Sequence, residues 1–289
     1  MNSIQIEQFR INSIESFFGT LREKAEKINI LWIGQAGFIL SFREKIFIID
    51  PYLSDYLAKK YEGKIFPHTR LMDIPISPQS IKSVDYILCT HSHSDHMDPE
   101  TVSVLSNNNP KCKFIVSTAE IEEAVKRGID RKQILNINAN QTIDLEENIK
   151  IKAIAACHED FKINEKGEYS YLGYIFQLGK VRIYHSGDCI PYKGLSEDLK
   201  RLKVNIALLP INGRDEYRLN KGIAGNFTIA EVLKLCKDAN INILIVHHFG
   251  MFAYNTVKDE DLINLKGISS PSLEIIIPEI NIVYKVNLV

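Results

Sequence analysis

The sequence predicts an α/β fold in which β-sheets pack face to face and helices cover their outer surfaces. Three short apolar segments, residues 30–34, 37–42 and 45–50, come first and are typical of strands. From residue 84 onward, strand-like and helix-like segments alternate along the chain. No repeat, low-complexity tract or linker interrupts the sequence, so we predict a single domain over residues 1–289.

The N-terminal segment, residues 1–27, is predicted to be mainly helical. Apolar residues such as Ile6 and Ile14 are distributed through residues 3–27 in a pattern that favours a helix. Beyond this segment, the short link Arg43-Glu44 joins the second and third strand-like segments and predicts a β-hairpin.

The rest of the chain supplies a proline-dotted stretch and then the remaining strands and helices. Residues 51–82 are loop-rich, and a stretch of this length inside a compact domain is either a surface connection or a substrate-facing lid. The predicted strands lie at residues 84–89, 113–117, 149–156, 171–178, 181–186, 205–209, 241–246 and 281–288, and the predicted helices at 99–106, 119–127, 194–202 and 228–237.

The composition is ordinary for a soluble globular protein, with 45% hydrophobic and 25% charged residues. A formal net charge of −1 gives no electrostatic reason to expect nucleic acid or an anionic membrane as a partner. No apolar run is long enough to span a bilayer, and no secretory signal is seen. The five cysteines are scattered without a C-x-x-C pair, which fits a reducing cytoplasm. We expect a cytoplasmic protein; a homo-oligomer stays open.

One short segment carries most of the chemical information. His91-x-His93-x-Asp95-His96 follows directly on a predicted buried strand. In an extended segment, side chains two residues apart share a face, so His91 and His93 can reach one ion together. Asp95 and His96 can then address a second ion nearby. Imidazole and carboxylate are ligands that zinc and similar divalent ions prefer, so the segment predicts a metal site rather than a solvated turn.

One motif cannot complete two metal coordination spheres, so further ligands are expected at other strand ends. His158 ends the apolar run at residues 151–157, and Asp188 follows the strand at 181–186. His247 and His248 end the run at 243–246. Taken singly, each is more typical of a satisfied core or loop residue, but together with the motif they form a set of donors suited to divalent metal.

These residues resemble the metallo-β-lactamase superfamily, a fold built as an αββα four-layer sandwich. The resemblance runs from Trp32-Ile33-Gly34 to His248 and includes the strand-end segment Ser186-Gly187-Asp188. It assigns His248, rather than His247, as a ligand. The resemblance implies that the first metal is bound by His91, His93 and His158, the second by Asp95, His96 and His248, and that Asp188 bridges the two.

The same resemblance bears on the chemistry. Redox di-iron members of the superfamily carry glutamate at the position of His93, so histidine there favours hydrolysis. We therefore predict a metal-dependent hydrolase in which Asp95 and Asp188 act in catalysis and a metal-activated hydroxide attacks the substrate. Zinc or manganese is expected as the cofactor, as two divalent ions, and iron is compatible with the same donors.

Within the superfamily, the chain is most similar to the ascorbate-6-phosphate lactonase branch. The similarity is carried by segments 184–188, 209–215, 222–226 and 248–252. It implies a small, anionic lactone or ester as substrate. The residues expected to contact that substrate are His185, Arg214, Asp215, Asn226 and His247.

Each of these substrate-contact assignments has a simpler reading. Basic residues in a solvated loop would explain Arg214, and burial or an indirect role would explain His185 and His247. Asn226 either faces the metal pocket or caps the helix that begins near Thr228. Two other functions stay open: a phosphodiesterase or nuclease of the same fold, which should show a basic groove, and a non-catalytic regulatory protein on the same scaffold.

Overall fold

The computed structural model describes residues 4–288. The chain divides into two compact units. The described part of unit 1 comprises residues 4–136 and 279–288, and unit 2 comprises Ile137–Pro278. Each unit is built around one mixed β-sheet. The expectation of one domain over the whole chain stays a prediction.

Unit 1 contains an eight-stranded sheet in the order β1-β15-β2-β3-β4-β5-β6-β7. Strands β4, β5 and β6 run parallel to one another, and antiparallel pairs extend from β4 back to β1. The strands are β1 (Ile4–Arg10), β2 (Ile28–Trp32), β3 (Phe38–Phe42), β4 (Lys45–Ile49), β5 (Tyr86–Leu88), β6 (Lys113–Ser117), β7 (Ile134–Ile137) and β15 (Ile282–Leu288), and the helices are α1 (Ile14–Phe18), α2 (Tyr56–Lys60), α3 (Pro99–Asn108) and α4 (Ile121–Lys126).

A continuous apolar core anchors the metal motif of unit 1. Ile48 in β4, Ile87 in β5 and Val102 in α3 belong to this core and are fully buried. Cys89 and Met97 flank the motif in sequence and lie in the same core, both with no exposed surface. Because these flanking side chains are packed on both sides of the motif, its backbone has little freedom to move.

The predicted hairpin at Arg43-Glu44 is present, and its geometry explains the short link. Strands β3 and β4 pair antiparallel up to Phe42 and Lys45. Arg43 and Glu44 have φ angles of 47° and 65°. Two successive left-handed residues are the signature of a type I′ turn, whose twist matches that of the flanking strands.

The prediction of a helical N-terminal segment over residues 1–27 is wrong for most of its length. Residues 4–10 form β1, which pairs antiparallel with β15 from Ile4↔Leu288 to Arg10↔Ile282. Only Ile14–Phe18 is α-helical. The strand forms because β15 offers its backbone hydrogen bonds as the edge of the sheet, and this pairing with a segment more than 270 residues away is invisible in local sequence. Residues 1–3 of the predicted segment lie outside the described residues.

Unit 2 contains a seven-stranded sheet in the order β14-β13-β12-β11-β10-β9-β8. Strands β11 to β14 are parallel, and β8 to β11 alternate in direction. The strands are β8 (Thr142–Glu146), β9 (Ile149–Ala155), β10 (Leu172–Leu178), β11 (Val181–His185), β12 (Ile206–Pro210), β13 (Ile243–His247) and β14 (Glu274–Ile276), and the helices are α5 (Leu195–Arg201), α6 (Glu216–Leu219), α7 (Ile229–Ala239) and α8 (Asp259–Gly267).

This topology brings three strand ends to one edge of the sheet in unit 2. Strands β9, β11 and β13 point in the same direction, since β10 runs antiparallel to both β9 and β11, and β11 to β13 are parallel. The carboxyl ends of these strands therefore lie on the same side. In sheets of this kind, ligands bind at the carboxyl ends of the strands.

The remaining predicted strands and helices are present with shifted ends. One of them differs in helix type. The helix predicted at residues 119–127 begins as a 3-10 helix at Thr118–Glu120 and continues as α4. The loop-rich stretch 51–82 contains α2, and β7, β8, β14, α6 and α8 were not predicted from the sequence. Among the described residues, no helix has the length and apolar character needed to cross a membrane.

Helix α7 begins with reciprocal capping, which the sequence Thr228-Ile229-Ala230-Glu231 provides. The Thr228 hydroxyl accepts the Glu231 N–H at 3.3 Å, and the Glu231 carboxylate accepts the Thr228 N–H at 2.9 Å. The helix is closed by its C-cap residue Asn240, whose φ of 56° is the left-handed conformation found at the end of many helices.

We expect Thr228→Ala to lower the free energy of unfolding by about 1 kcal/mol, because a helix N–H loses its capping acceptor. Urea denaturation followed by circular dichroism measures the change. The exposed Lys237→Ala in the same helix is the control and should shift stability by less than about 0.5 kcal/mol. Equal midpoints for Thr228→Ala and the unsubstituted protein would contradict the capping role.

Candidate metal centre

The motif of unit 1 lies in a bent segment, not in the extended one expected from the sequence. Strand β5 ends at Leu88, and residues 90–97 form bends and a turn before α3 begins at Pro99. His93 O accepts hydrogen bonds from the N–H groups of both His96 and Met97. The turn nevertheless brings the His91 and His93 rings together, with centroids 4.6 Å apart.

Asp50, which the sequence analysis missed, organises the motif. It directly follows β4, and its side chain is fully buried. Its Oδ1 accepts the Thr90 N–H at 2.7 Å, and its Oδ2 accepts the Thr90 hydroxyl at 2.7 Å. Oδ2 also lies 2.7 Å from His96 Nδ1. A carboxylate that holds Nδ1 of a histidine leaves Nε2 for a metal and orients the ring.

The hydroxyl of Thr90 orients His91 in the same way. Because that hydroxyl donates its hydrogen to Asp50, its oxygen accepts from His91 Nδ1, which lies 3.0 Å away. His91 Nε2 is then the atom that can bind a metal. His91 and His96 are buried, and their ring centroids are 4.1 Å apart. Two imidazoles of unit 1 thus have their ligand atoms fixed by one buried network.

Asp95 is held by the buried side-chain amide of Gln35. Gln35 Nε2 donates to Asp95 Oδ2 at 2.8 Å, and Gln35 has no exposed surface. Asp95 Oδ2 also lies 3.7 Å from His96 Nε2. That separation is too long for a hydrogen bond but suits two donors that share an ion. His93, by contrast, is the exposed member of the motif.

In unit 2, Asp188 lies between two histidines. His158 Nε2 is 3.7 Å from Asp188 Oδ2, and His248 Nε2 is 3.4 Å from Asp188 Oδ1. All three residues are buried. They follow the ends of β9, β11 and β13, as the strand-end prediction required. Each oxygen of one carboxylate therefore faces a different imidazole.

The spacing of these donors fits metal ions that each bind one imidazole and one carboxylate oxygen. Two ligand atoms about 2.1 Å from one tetrahedral ion lie about 3.4 Å apart. Direct hydrogen bonds would need distances below about 3.2 Å. The donor set of imidazole and carboxylate is also the one that zinc, manganese and iron accept. Within unit 2, Asp188 is thus suited to bridge two ions.

His185 and His247 form a stacked pair in unit 2. Their ring centroids are 4.8 Å apart with an interplanar angle of 14°, and both side chains are fully buried. His185 Nδ1 accepts the Gly187 N–H at 3.0 Å, which supports the turn that presents Asp188. This contact supports an indirect role for His185, and its contact with substrate stays a prediction, as does that of His247.

Two of the predicted substrate residues, Arg214 and Asp215, each form an ion pair with another side chain of unit 2. Arg214 forms a bidentate ion pair with Glu231, with distances of 2.7 and 2.6 Å. Asp215 caps α6 and pairs with Arg218 at 2.5 Å. Their contact with substrate stays a prediction.

Asn226 is buried and is not the helix cap, because Thr228 caps α7. Its Nδ2 donates to Asn212 Oδ1 at 3.1 Å. Asn226 Oδ1 is buried and makes no hydrogen bond to the described residues. The capping alternative is therefore excluded, and a substrate contact stays a prediction.

Comparison with known proteins shows the family. The model of the β-lactamase superfamily domain matches residues 46–249. The chain belongs to the metallo-β-lactamase superfamily. A relative from Thermoplasma acidophilum, a UPF0173 metal-dependent hydrolase, is 30% identical over 255 residues, which cover 88% of this chain and 97% of the relative. The chain is accordingly a metal-dependent hydrolase of this superfamily, and the prediction of the metallo-β-lactamase fold is confirmed.

Solved structures support the same superfamily fold. A possible metal-dependent hydrolase from Veillonella parvula has a TM-score of 0.69 at 18% identity, over 90% of this chain and 99% of that one. The isothiocyanate hydrolase from Delia radicum gut bacteria has a TM-score of 0.67 at 17% identity, over 87% and 96% of the two chains. At these identities, the likeness concerns the fold alone.

Two residues that position the candidate ligands were missed, although one carried a signal. Asp50 stands at the end of a predicted strand and before Pro51, in the same kind of place as Asp188. Applying the strand-end criterion to every strand would have included it. Gln35 had no such signal, because its amide meets Asp95 only through the fold.

We expect Asp50→Asn to weaken metal binding by roughly 10- to 100-fold, because the amide cannot accept from both Thr90 and His96 as the carboxylate does. Metal content after dialysis against a chelator series measures the effect. The matched control is Asp73→Asn, an exposed aspartate of the same unit. If both variants retain metal equally, Asp50 does not support the metal ligands.

Proposed function

We propose that the protein binds two divalent metal ions through seven side chains and hydrolyses a small anionic lactone or ester. The observation that carries the proposal is the placement of Asp188, with one oxygen towards His158 and the other towards His248. The ordered donors of unit 1 give independent support, because Asp50 and Thr90 direct Nε2 of two buried histidines. The proposed ligands are His91, His93, Asp95, His96, His158, Asp188 and His248.

When bound, two divalent ions lower the pKa of a water towards neutrality and withdraw charge from the reacting group. The side chains of the protein orient the reaction. Asp95 Oδ2 is held by Gln35, so Asp95 Oδ1 is the atom proposed to accept a proton from the attacking water. Asp188 presents one carboxylate oxygen to each of its two neighbouring imidazoles, so it would hold a metal ion together with either of them. No serine or cysteine nucleophile is needed, and the five cysteines are buried.

The proposed substrate class rests on the similarity to the ascorbate-6-phosphate lactonase branch. Zinc and manganese are the proposed ions, since both accept this donor set. The fold is also that of an isothiocyanate hydrolase, so a cumulated C=N electrophile belongs in any substrate panel.

A phosphodiesterase or nuclease is the second candidate function, and one observation bears on it. Unit 2 has a cavity of about 340 Å³ that five cationic side chains line, namely Lys150, Lys152, Arg182, Arg201 and Lys203. Lys150 and Arg182 stand near the beginnings of β9 and β11, whereas His158 and Asp188 follow the ends of these strands. The basic cavity therefore lies at the other end of the strands from the proposed ligands of that unit, which favours the ester hydrolase.

Metal analysis combined with a substrate panel tests the proposal. The panel contains lactones, carboxylic esters, phosphodiesters, thioesters and an isothiocyanate. We expect divalent metal in the purified protein, hydrolysis of an anionic lactone or ester, loss of activity on chelation, and recovery on adding zinc or manganese. Asp188→Asn should lower kcat/KM by more than about 100-fold, because it disturbs both neighbouring imidazoles.

Asp144→Asn, an exposed aspartate in the same unit, is the control and should leave metal content and activity unchanged. Preferred cleavage of phosphodiesters would select the second candidate function. Bound metal without turnover of any panel member would favour a regulatory protein. The proposal fails if the protein binds no divalent metal and His91→Ala changes neither metal content nor hydrolysis.

A further inference from the structure

Arg70 lies in the loop-rich stretch 51–82 and folds back onto the residues that follow Asp50. Its guanidinium carbon is 4.7 Å from the centre of the Tyr52 ring, close enough for a cation–π contact. Nη1 donates to Tyr52 O at 3.0 Å and to Ser54 O at 3.4 Å, and Nε donates to Met72 O at 3.2 Å. These contacts fix both the position and the plane of the guanidinium.

The guanidinium is a charge without a matching carboxylate. Its hydrogen bonds to the backbone go to neutral carbonyls, the phenol of Tyr52 is its side-chain neighbour, and no carboxylate of the described residues forms an ion pair with it. Nη2 is buried and makes no hydrogen bond to the described residues. Arg127, also partly buried in unit 1, instead donates to Glu123 at 2.8 Å. An unmatched guanidinium in a desolvated place is unfavourable unless an anion completes it.

Neither of the nearby carboxylates, Asp98 and Asp55, forms an ion pair with Arg70. Asp98 caps α3, with Oδ1 accepting from Glu100 N–H and Oδ2 from the Thr101 hydroxyl. Asp55 stands before α2 and is exposed. Burial lowers the pKa of Arg70 from its ordinary value, and the interactions with Tyr52, followed by the charges of Asp55 and Asp98, only partly oppose this effect. The guanidinium remains a cation at neutral pH.

Arg70 is close in the fold to the proposed metal ligands of unit 1. It contacts Tyr52, which stands two residues after Asp50. Burial raises the pKa of the Tyr52 phenol, and the charge of Asp95 raises it further. The charge of Asp95 also raises the pKa of His68, two residues before Arg70, against the larger effect of burial. Ser54, whose carbonyl accepts from Arg70, also hydrogen-bonds through its side chain to Asp98, which stands two residues after His96, so Arg70 lies near the end of the motif.

We infer that Arg70 binds an oxyanion of the substrate, a carboxylate or phosphate, through its buried Nη2. Nη2 is the one guanidinium nitrogen not committed to a backbone carbonyl. A guanidinium held edge-on by carbonyls and stacked on an aromatic ring is preorganised for this task. The inference rests on the proposed ester hydrolysis and assigns to stretch 51–82 the recognition of the substrate's charge.

Two esters of similar size test the inference, 4-nitrophenyl hemisuccinate, which carries a carboxylate, and the neutral 4-nitrophenyl butyrate. We expect Arg70→Gln to lower kcat/KM for the hemisuccinate by roughly 10- to 100-fold, mostly through KM, with butyrate hydrolysis little changed. Arg70→Lys should keep part of the preference, because it retains the charge. Arg131→Gln, an exposed arginine paired with Glu122, is the control.

Binding of inorganic phosphate to the metal-loaded protein, measured by calorimetry, is the second readout. Arg70→Gln should weaken it by the same factor, and the Arg131 variant should not. Equal losses on both esters, together with a lowered urea midpoint, would mean that Arg70 only holds the loop, and the inference would be overturned. If no ester is cleaved but phosphate binding still depends on Arg70, the proposed hydrolysis fails while the anion site stands.

Discussion

The buried carboxylate of Asp50 is the constraint on which the chemistry of unit 1 depends. It accepts three hydrogen bonds, two from Thr90 and one from His96, and so ties the end of β4 to the motif that follows β5. An unpaired carboxylate at this depth would be strongly unfavourable, and charge-assisted bonds to these donors compensate for its desolvation. Removing one donor would leave part of the carboxylate charge unpaired in an apolar core. The motif and the Asp50 carboxylate therefore depend on each other.

Three residues that form or support the candidate metal site have strained backbone conformations. Asp50, Gln35 and His248 have φ angles of 44°, 50° and 61°, which non-glycine residues adopt uncommonly. One of these residues supports His96, one supports Asp95, and the third is itself a proposed ligand. Such conformations persist where the surrounding packing holds them, and they cluster at functional sites. Asp50 and His248 directly follow β4 and β13, and Gln35 lies in the turn between β2 and β3, so each stands where the chain turns sharply and presents a side chain.

The family, the strand-end positions of the candidate ligands and most of the central strands could be predicted from the sequence, because these depend on local patterns. Residues 86–89 are apolar and the first motif histidine, His91, stands two residues later, so both the strand and its chemistry are visible in one segment. Strand β1 was missed because its pairing partner β15 lies at the other end of the chain. Strand β8 was missed because its residues alternate in burial without strong apolar character.

The pairing of arginines with carboxylates cannot be predicted from the linear sequence. Arg214 and Arg218 stand in a glycine-rich loop and suggest an anion site, yet the fold pairs them with Glu231 and Asp215. Arg70 stands in a proline-dotted stretch with no pattern that suggests an anion site, yet the fold gives its guanidinium no carboxylate as an ion-pair partner among the described residues. The cation available for a substrate is the one whose neighbours do not neutralise it, and only the fold identifies those neighbours. The selectivity inferred for Arg70 therefore depends on which of several arginines, alike in sequence, the fold leaves without a carboxylate partner.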